Sequence, residues 1–358
     1  MNGMKKMNKM TRNNLITYVM VIVLYLIVQA LIMSGSLSSL MQGLLVPLCA
    51  YVILAVSLNL TVGILGELSL GHAGFMCVGA FFSAFFSKCT SAAIPVAGLR
   101  YFIALLIGAA AAGVCGILIG IPVLRLKGDY LAIVTLAFGE IIKNIMNILF
   151  IGKDANGFHF STKDVMALNM EPDGVVIING PQGITGTPKD SSFTVGVLLI
   201  LLTLFIVLNL IHSRSGRAIM AIRDNRIAAE SIGINVTKYK LMAFSISAAL
   251  AGVAGVIYAH NLATLTAQPK NFGYNMSIMI LVFVVLGGIG NIRGSIIAAI
   301  VLTLLPELLR SLSDYRMLIY AVVLIVMMLF NWSPKAIEWR EKYAEKFRAR
   351  KKAKAEEV

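Results

Sequence analysis

Charged residues are scarce in this chain. They make up 13% of its 358 residues, against about 25% in ordinary soluble domains, while hydrophobic residues make up 58%. Cysteine and histidine are also few, with four of each, and their spacing indicates neither a disulfide framework nor a metal site. The sequence contains no G-x-x-x-x-G-K-S/T phosphate loop, no H-E-x-x-H helix and no convincing nucleophile arrangement. We therefore expect a membrane protein with no metal, no cofactor and no catalytic chemistry of its own.

Long, nearly uncharged runs dominate what is present. A bilayer core of about 30 Å needs about 20 helical residues, and ten segments meet or approach that length. These segments are 15–33, 44–62, 66–86, 101–122, 130–150, 193–211, 241–260, 276–289, 295–312 and 316–331. The first run is longer than the 7–15 residues of a signal-peptide core, so we expect it to be retained. The sequence predicts an all-α polytopic membrane helix bundle of about ten spans.

The distribution of basic residues predicts the orientation of these spans. Lys and Arg accumulate in cytoplasmic loops, and placing the amino end inside puts 22 of the 31 basic residues on the cytoplasmic side. Both termini are then cytoplasmic, and the net charge of +14 reflects topology and anionic lipid headgroups without requiring nucleic acid. The sequence therefore predicts a basic cytoplasmic amino terminus (1–14), a transmembrane domain (15–332) and a charged cytoplasmic tail (333–358). Within the transmembrane domain, 151–192 is an extracytoplasmic loop and 213–240 a cytoplasmic loop.

Two glycine-rich segments predict interruptions in the helices. The first, 62–81, crowds five glycines around three polar residues, which favours a helix that bends or starts inside the protein. The second, 285–298, has a similar pattern, and there we favour a short turn between adjacent spans. Unwound backbone within a membrane must line protein or water, so the first segment supplies most candidates for a translocation path. The candidates are Glu67, Ser69, Gly71, His72, Gly74 and, from a later span, Glu140.

Small residues at four-residue spacing predict close helix packing. One stripe runs through Gly108, Ala112, Gly116 and Gly120, and another through Ala243, Ser247, Ala251, Gly255 and Ala259. Ionisable residues within spans predict ion pairs, since Glu140 lies three residues before Lys143, and Glu307 three before Arg310. Paired carboxylates argue mildly against proton-coupled transport.

The cytoplasmic loop, 213–240, is longer than a simple turn requires. We expect one helix from Arg217 to Ile232, ended by Gly233 at the C′ position. Its mixture of basic, acidic and apolar residues fits either a docking surface for a cytoplasmic protein or a surface helix bound to lipid headgroups. The candidate docking residues from this pattern are Arg217, Arg223, Asp224, Arg226, Glu230 and Gly233.

Several motifs together resemble a known family. The loop sequence "GRAIMAIRDNRIAAESIGINVTKYKLMAF" is similar to that of M-type (LivM-type) permease subunits of branched-chain amino-acid ABC importers. The resemblance extends to "LNLTVGILGELSLGHAGFMCVGAFFSA", "YLAIVTLAFGEIIKN", "NGPQGITG" and "LGGIGNIRGSIIAA", and covers roughly 45–332.

The resemblance implies an importer of leucine, isoleucine or valine in a bacterial inner membrane. It implies a second, H-type permease, two ATP-hydrolysing subunits, and an extracytoplasmic binding protein facing the 151–192 loop. The resemblance also implies that the run from Ala228 to Asn235 binds the ATPase, which adds Ala228 and Ala229 to the docking candidates and places Glu230 and Gly233 at the family's acidic residue and glycine. Related permeases serve urea or short amides. The alternatives left open are an ion-coupled secondary transporter dependent on Glu67 or Glu140, and a membrane scaffold without flux.

Overall fold

Helices account for most of the fold. The computed structural model describes residues 9–91, 93–126, 128–309 and 315–332. The helices are α1 Lys9–Met33, α2 Ser39–Asn59, α3 His72–Cys89, α4 Ala97–Val123, α5 Asp129–Ile148, α6 Phe193–His212, α7 Arg214–Asp224, α8 Arg226–Ser231, α9 Val236–Ala259, α10 Pro269–Phe272, α11 Tyr274–Gly287, α12 Ile292–Leu308 and α13 Arg316–Trp332.

The chain divides into two compact units, residues 1–299 and 300–358. The first unit holds α1 to α11 and the start of α12; the second holds the rest of α12 and α13. The predicted charged tail, 333–358, lies outside the described residues, as does Arg310 of the predicted Glu307–Arg310 pair.

All ten predicted apolar segments contain a helix. Among the described residues, seven helical segments are long and apolar enough to cross a membrane. They are Asn14–Met33, Ser39–Leu65, Ala97–Val123, Asp129–Ile148, Phe193–His212, Val236–Ala259 and Pro269–Gly287. This confirms a polytopic helical membrane protein. The other three predicted spans coincide with α3, α12 and α13, which have 18, 17 and 17 residues.

The centre of the first unit is built on close contact between α9 and its neighbours α2, α3 and α4. Small side chains make this contact possible: a methyl group added at Gly116 of α4 would lie 2.5 Å from the Ala248 Cβ of α9. A methyl group at Gly252 of α9 would lie equally close to the Ala112 Cβ of α4. The predicted small-residue packing is confirmed for these two helices, because any larger side chain would push them apart.

The connection between α2 and α3 is irregular, as the glycine pattern predicts. A π-helical turn, Leu60–Leu65, extends α2, and Gly66 ends it with a φ of +79° in the left-handed region. Residues 67–71 are not helical, and α3 begins only at His72. The predicted third span therefore starts inside its segment. The later glycine-rich segment is a turn between α11 and α12, where Gly288 and Gly290 have φ values of +92° and +80°.

The all-α prediction is wrong in the outer loop and the α9–α10 connection, which contain five short strands. These are β1 Phe150–Asp154, β2 Gly157–Ser161, β3 Val175–Asn179, β4 Ile184–Thr185 and β5 Thr264–Leu265. An antiparallel sheet has the order β2-β1-β3, and β4 pairs with β5. The β1–β2 turn is stabilised because Asp154 Oδ1 accepts hydrogen bonds from the backbone N–H groups of Asn156 and Gly157, at 2.8 and 3.1 Å. Asn-Gly favours such a hairpin, so the sequence carried this signal.

The single helix expected from Arg217 to Ile232 is also wrong. The segment forms two helices, α7 and α8, separated at Asn225, which has an extended backbone with φ −155° and ψ 104°. Asn225 Oδ1 accepts a hydrogen bond from the N–H of Ala228 at 3.1 Å and so caps α8. Gly233 follows α8 with a φ of +86°, which confirms the predicted C′ glycine.

Candidate functional site

The α7–α8 segment has one face against the helix bundle and one face open. Ile219 and Ile222 of α7 are buried, and Ile219 packs against Leu60, Leu65 and other residues around the π-helical turn. By contrast, Ile227 of α8 and Ile232, which directly follows α8, are 80% and 75% exposed. The segment is thus anchored through the two isoleucines of α7, while the isoleucines at the two ends of α8 point outward.

The predicted docking residues occupy different environments. Arg226 Nε and Glu230 Oε1 form an exposed ion pair at 3.0 Å along α8, and Ala228 is exposed between them. Arg217 is exposed and donates to the carbonyl of His212 at 3.2 Å. Ala229 is only 2% exposed, because it packs against Ile222 and Val236. The outward surface of α8 therefore comprises the paired charges and its two exposed isoleucines.

Arg223 lies differently from the other docking candidates. Its Nη1 donates to the carbonyl oxygen of Gly63, 160 residues earlier in the chain, at 3.0 Å. Its Nε and Nη2 both donate to Asp224 Oδ1, at 3.0 and 2.9 Å. The guanidinium group is thus directed at the π-helical turn, and Asp224, with a side chain 67% exposed, holds its orientation.

Glu67 forms an ion pair with Lys240 of α9. Both side chains are largely buried, with exposed fractions of 15% and 8%, so the carboxylate and ammonium groups neutralise each other within the protein. The backbone N–H of Glu67 donates to the carbonyl of Thr61 at 3.1 Å, which places this residue directly at the end of the π-helical turn. Sequence reasoning selected Glu67 and missed Lys240, which it had counted only as one of the basic loop residues.

Ser69, Gly71, His72 and Gly74 are all buried. His72 Nε2 lies 3.1 Å from Ser247 Oγ, whereas His72 Nδ1 and Ser69 Oγ have no hydrogen-bond partner among the described residues. The glycines permit contact with α5: a methyl group at Gly74 would lie 2.7 Å from the Cα of Gly139. These four candidates lie inside the unit, at a contact between α3, α5 and α9.

Glu140 links two helices near the middle of α5. One carboxylate oxygen pairs with Lys143, confirming the predicted pair, and the other accepts from the backbone N–H of Tyr274 at 2.7 Å. Tyr274 is the first residue of α11, so Glu140 caps that helix with a charge that its dipole favours. Sequence reasoning could not find this contact, since the partners are 134 residues apart.

Asn59 is a site residue that sequence reasoning missed. It is fully buried; its Oδ1 accepts from the N–H of Gly290, and its Nδ2 donates to Ser295 Oγ, both at 2.8 Å. It therefore connects the end of α2 to the turn before α12. Its position within an apolar run was the available signal, because a polar residue inside a span usually has a specific partner.

The outer loop is attached to the helix ends by polar contacts. Arg100 of α4 pairs with Asp190 at 2.9 Å, and Lys88 of α3 donates to the carbonyl of Val176 at 3.0 Å. Within the sheet, Asp154 contacts His159 Nε2 at 2.9 Å. Desolvation opposes ionisation of Asp154, but hydrogen bonds from Glu171, Asn156 and His159 lower its pKa overall. The aspartate that orders the β1–β2 turn is thus held in its charged form.

Metal binding receives no support from the described ranges, since no three His, Cys, Asp or Glu side chains there are grouped closely enough to hold an ion. A cavity of about 440 Å³ lies between the π-helical turn and the α7–α8 segment. Glu67, Arg223 and Lys240 contribute to its lining, together with Gly128 and Ile227.

Comparison with known proteins agrees with the resemblance seen in the sequence. Residues 39–330 match a family described as the permease component of branched-chain amino acid transport systems. The high-affinity branched-chain amino acid transport system permease protein LivM of Escherichia coli K12 is 36% identical over 296 residues, covering 80% of this chain and 67% of LivM. The corresponding protein of Salmonella typhimurium is 35% identical over the same shares.

A more distant similarity involves part of the chain. The ribose import permease protein RbsC of Escherichia coli K12 is 35% identical over 128 residues, covering 34% of this chain and 39% of RbsC. No solved structure matches the chain.

Proposed function

This chain belongs to the family of permease components of branched-chain amino acid transport systems, and we propose that it forms the translocation path of an ATP-driven importer together with a second permease. The substrates are leucine, isoleucine and valine. The observation that carries this proposal is 35–36% identity to LivM over 80% of the chain. The chain is a transport subunit, and ATP hydrolysis takes place in separate partner subunits.

The α7–α8 segment supports docking of an ATP-hydrolysing subunit. A helix whose only role was to connect spans would bury its apolar side chains, but Ile227 and Ile232, at the two ends of the short, charged α8, are exposed. An apolar contact rimmed by a charged pair is the usual composition of a protein interface. We assign α8, with Glu230 and Arg226, to that interface, and expect two ATPase subunits in the complete importer.

The hydrogen bonds and ion pairs at the two ends of the first unit are consistent with ten spans and cytoplasmic termini. Segments predicted to be inside contact one another, and so do segments predicted to be outside. At the inner end, Asn14 contacts His212, Gly63 contacts Arg223, and Thr17, at the inner end of the first predicted span, contacts Arg293. At the outer end, Lys88 contacts Val176, Arg100 contacts Asp190, and Asn147, at the outer end of the fifth predicted span, contacts Ala267. This grouping requires α3 to cross, and its 18 residues lie within the range of about 17–25 that spans a bilayer.

The extracytoplasmic partner is a substrate-binding protein that meets the 151–192 loop. The three-stranded sheet gives this loop a defined surface, on which Phe160 and Val175 are 66% and 57% exposed. A loop that only connected α5 to α6 would need a few residues, and longer loops usually serve binding. We locate the complex in the bacterial inner membrane, with lipid around the remaining apolar surface.

Ion-coupled transport by this chain alone is the main competing proposal, and the carboxylates argue against it. Glu67 and Glu140 would be the coupling groups, yet each is paired with a lysine side chain that is only 8% exposed. A coupling carboxylate must load and release a cation during each cycle, and a buried lysine partner opposes both the loading and the proton uptake.

Co-purification is the first test. The tagged chain, extracted from its native membrane in mild detergent, should bring an ATPase and a second permease identifiable by mass spectrometry. The purified complex, reconstituted in liposomes with its binding protein, should accumulate labelled leucine only when ATP is supplied. Recovery of this chain alone after crosslinking, with uptake driven by an ion gradient, would establish the secondary transporter instead. Uptake of urea but not leucine by the complex would retain the ATP-driven mechanism and change the substrate.

A further inference from the structure

The irregular turn between α2 and α3 is contacted from three directions by side chains or backbone of other segments. The first contact is the hydrogen bond from Arg223 to Gly63. A helix leaves its last carbonyl groups without donors, and here the chain turns away after Leu65, with the N–H of Glu67 bonded back to Thr61. The charged donor of Arg223 therefore satisfies a helix-end carbonyl that the local backbone does not.

The shape of the turn depends on the same contact. Gly66 has a φ of +79°, and a methyl group on it would lie 2.6 Å from Cγ of Arg223. The aliphatic part of Arg223 thus rests against the glycine that ends the π-helical turn. Both the backbone conformation and the lack of a side chain at position 66 are needed for this arrangement.

The second contact joins the same turn to the other end of the cytoplasmic loop. Glu67 follows Gly66 directly and pairs with Lys240 in the early part of α9. The stretch from Arg223 to Lys240, which contains α8, is therefore attached to the turn on both sides of α8, at Gly63 and at Glu67. Between these attachments lies the cavity of about 440 Å³, lined also by Asn225, Arg226 and Ile227. This space is lined by the residues at the start of α8.

The third contact continues from the turn into the bundle. Asn59 accepts from the N–H of Gly290 and donates to Ser295, so the start of the turn is bonded to the α11–α12 connection. Gly290 also lies beside Gly63, and a methyl group on Gly63 would collide with the Gly290 backbone. A displacement of the turn must therefore displace the start of α12 or break the two hydrogen bonds of the buried Asn59 side chain.

We propose that Arg223, Lys240 and Asn59 make the turn from Asn59 to Glu67 a mechanical joint, which passes movement of α8 to the α2–α3 break and to the start of α12. Arg223 is then a positioning residue within the permease and does not form part of the surface that the ATPase contacts. This inference rests on the proposed function, because the movement originates in ATPase subunits bound to α8. ATP-driven transport needs coupling between two states of the importer, and the joint is a specific route for that coupling within this chain.

The test uses the complete reconstituted importer and the variant Arg223→Ala. We expect the ATPase to co-purify in normal amount and to keep hydrolysing ATP, while leucine transported per ATP falls roughly tenfold, the lower range for loss of one charge-assisted hydrogen bond. Arg223→Lys should recover little of the lost transport per ATP, since an ammonium group cannot donate to Gly63 and Asp224 with the same geometry. The matched control is Arg214→Ala, on the exposed side of the same helix, which should behave like wild type.

A charge exchange keeps the proposal falsifiable if Arg223→Ala folds poorly. Lys240→Glu should lower transport per ATP, and adding Glu67→Lys should restore it, because the reversed pair can form the same contact. Loss of the ATPase from the purified Arg223→Ala complex would show that Arg223 contacts the ATPase, and it would overturn the proposed joint. Unchanged transport per ATP in Arg223→Ala, or no recovery in the exchanged pair, would also overturn it. If the wild-type complex itself contains no ATPase, the proposed function fails, which differs from failure of the joint alone.

Discussion

Glu230 is the residue that tests the α8 interface most directly. Its ion pair with Arg226 is exposed, with side chains 49% and 42% accessible, and such pairs contribute about 0–1 kcal/mol to stability. Reversing the charge should therefore leave folding and membrane insertion intact. Any large functional effect must arise from a partner that meets α8.

We expect Glu230→Lys to reduce ATP-dependent uptake at least tenfold while the variant reaches the membrane in normal amount. An unfavourable like-charge contact at an interface costs several kcal/mol, so the change exceeds what loss of the surface pair would cause. The measurement is leucine uptake together with the quantity of ATPase that co-purifies. Lys238→Glu, an exposed charge reversal in the same loop, is the control. Normal uptake by Glu230→Lys would remove α8 from the docking surface.

Glu140 is the second informative residue, because it carries two contacts at once. Glu140→Gln keeps an acceptor for the N–H of Tyr274 but leaves Lys143, whose side chain is 8% exposed, without its carboxylate. Breaking a buried pair from one side costs about 3–5 kcal/mol. We expect a clear fall in the thermal unfolding midpoint of the purified complex in detergent.

The double variant Glu140→Gln, Lys143→Met separates the two roles of Glu140. Removing the second charge should recover most of the lost stability, because no unpaired ammonium group remains. If the double variant is no more stable than Glu140→Gln, the lysine is not the source of the loss, and the negative charge at the amino end of α11 is the dominant contribution. Equal stability of all variants would mean that neither contact matters.

At the scale of the helices, the exposed surfaces of α4 and α5 differ in composition. The outward side of α4 is apolar, and its large exposed residues include Phe102, Val114 and Leu118. The outward side of α5 carries exposed Ile133 and Ile141 but also exposed Asn144, beside the partly exposed Glu140. Polar and charged groups at membrane depth normally face protein or water. We therefore infer that α5 faces the second permease and α4 faces lipid.

Cysteine crosslinking distinguishes these two faces. In a chain lacking its four native cysteines, Ile141→Cys should form a crosslink to a cysteine introduced in the co-purified permease, whereas Val114→Cys should not. Both positions lie near the middle of their helices and are about half exposed, at 51% and 55%, so accessibility to reagent is matched. A crosslink from Val114→Cys, and none from Ile141→Cys, would reverse the assignment of the two faces.

The sequence predicted elements better than it predicted how they are joined. The length of an apolar run locates a helix because backbone groups in lipid must be hydrogen-bonded within the segment. All ten apolar segments contain a helix. The break at Asn225 was missed because helix periodicity continues across it and only a cap interrupts it. The strands were missed because each is five residues or shorter, too short for the alternation of apolar and polar residues to stand out between the turns.

At the site, individual residues were predictable but their partners were not. Glu67 and Glu140 stand out in apolar surroundings, and the i,i+3 spacing was sufficient to pair Glu140 with Lys143. Lys240 and Gly63 meet their partners 173 and 160 residues away, so only the packing of the helices reveals those contacts. Arg223 was consequently grouped with the exposed loop residues; its side chain is indeed 38% exposed, yet it also donates to the Gly63 carbonyl of the π-helical turn.

At the scale of the whole molecule, α3 decides the orientation of everything after it. Composition alone does not select α3 as a span, yet residues 72–81 are all buried within the first unit. A helix enclosed by other helices needs no apolar surface toward lipid, which explains how it can cross the membrane with His72 and several small residues. If the amino end is inside and α3 crosses, the sheet loop is outside and α7–α8 inside. If α3 does not cross, both loops exchange sides.

Labelling of intact cells with a membrane-impermeant maleimide separates these two topologies. Phe160→Cys and Ile227→Cys, each in the chain without native cysteines, are 66% and 80% exposed and flank α6. We expect rapid labelling at position 160 in intact cells and labelling at 227 only after permeabilisation, which is the pattern that an inside amino end and a crossing α3 require. The reverse pattern would mean that α3 does not cross or that the amino end lies outside, and in either case it would place α8 where no ATPase could reach it. Fusion of a cytoplasmic reporter after Val358 checks the carboxyl end, which ten spans place on the same side as Ile227.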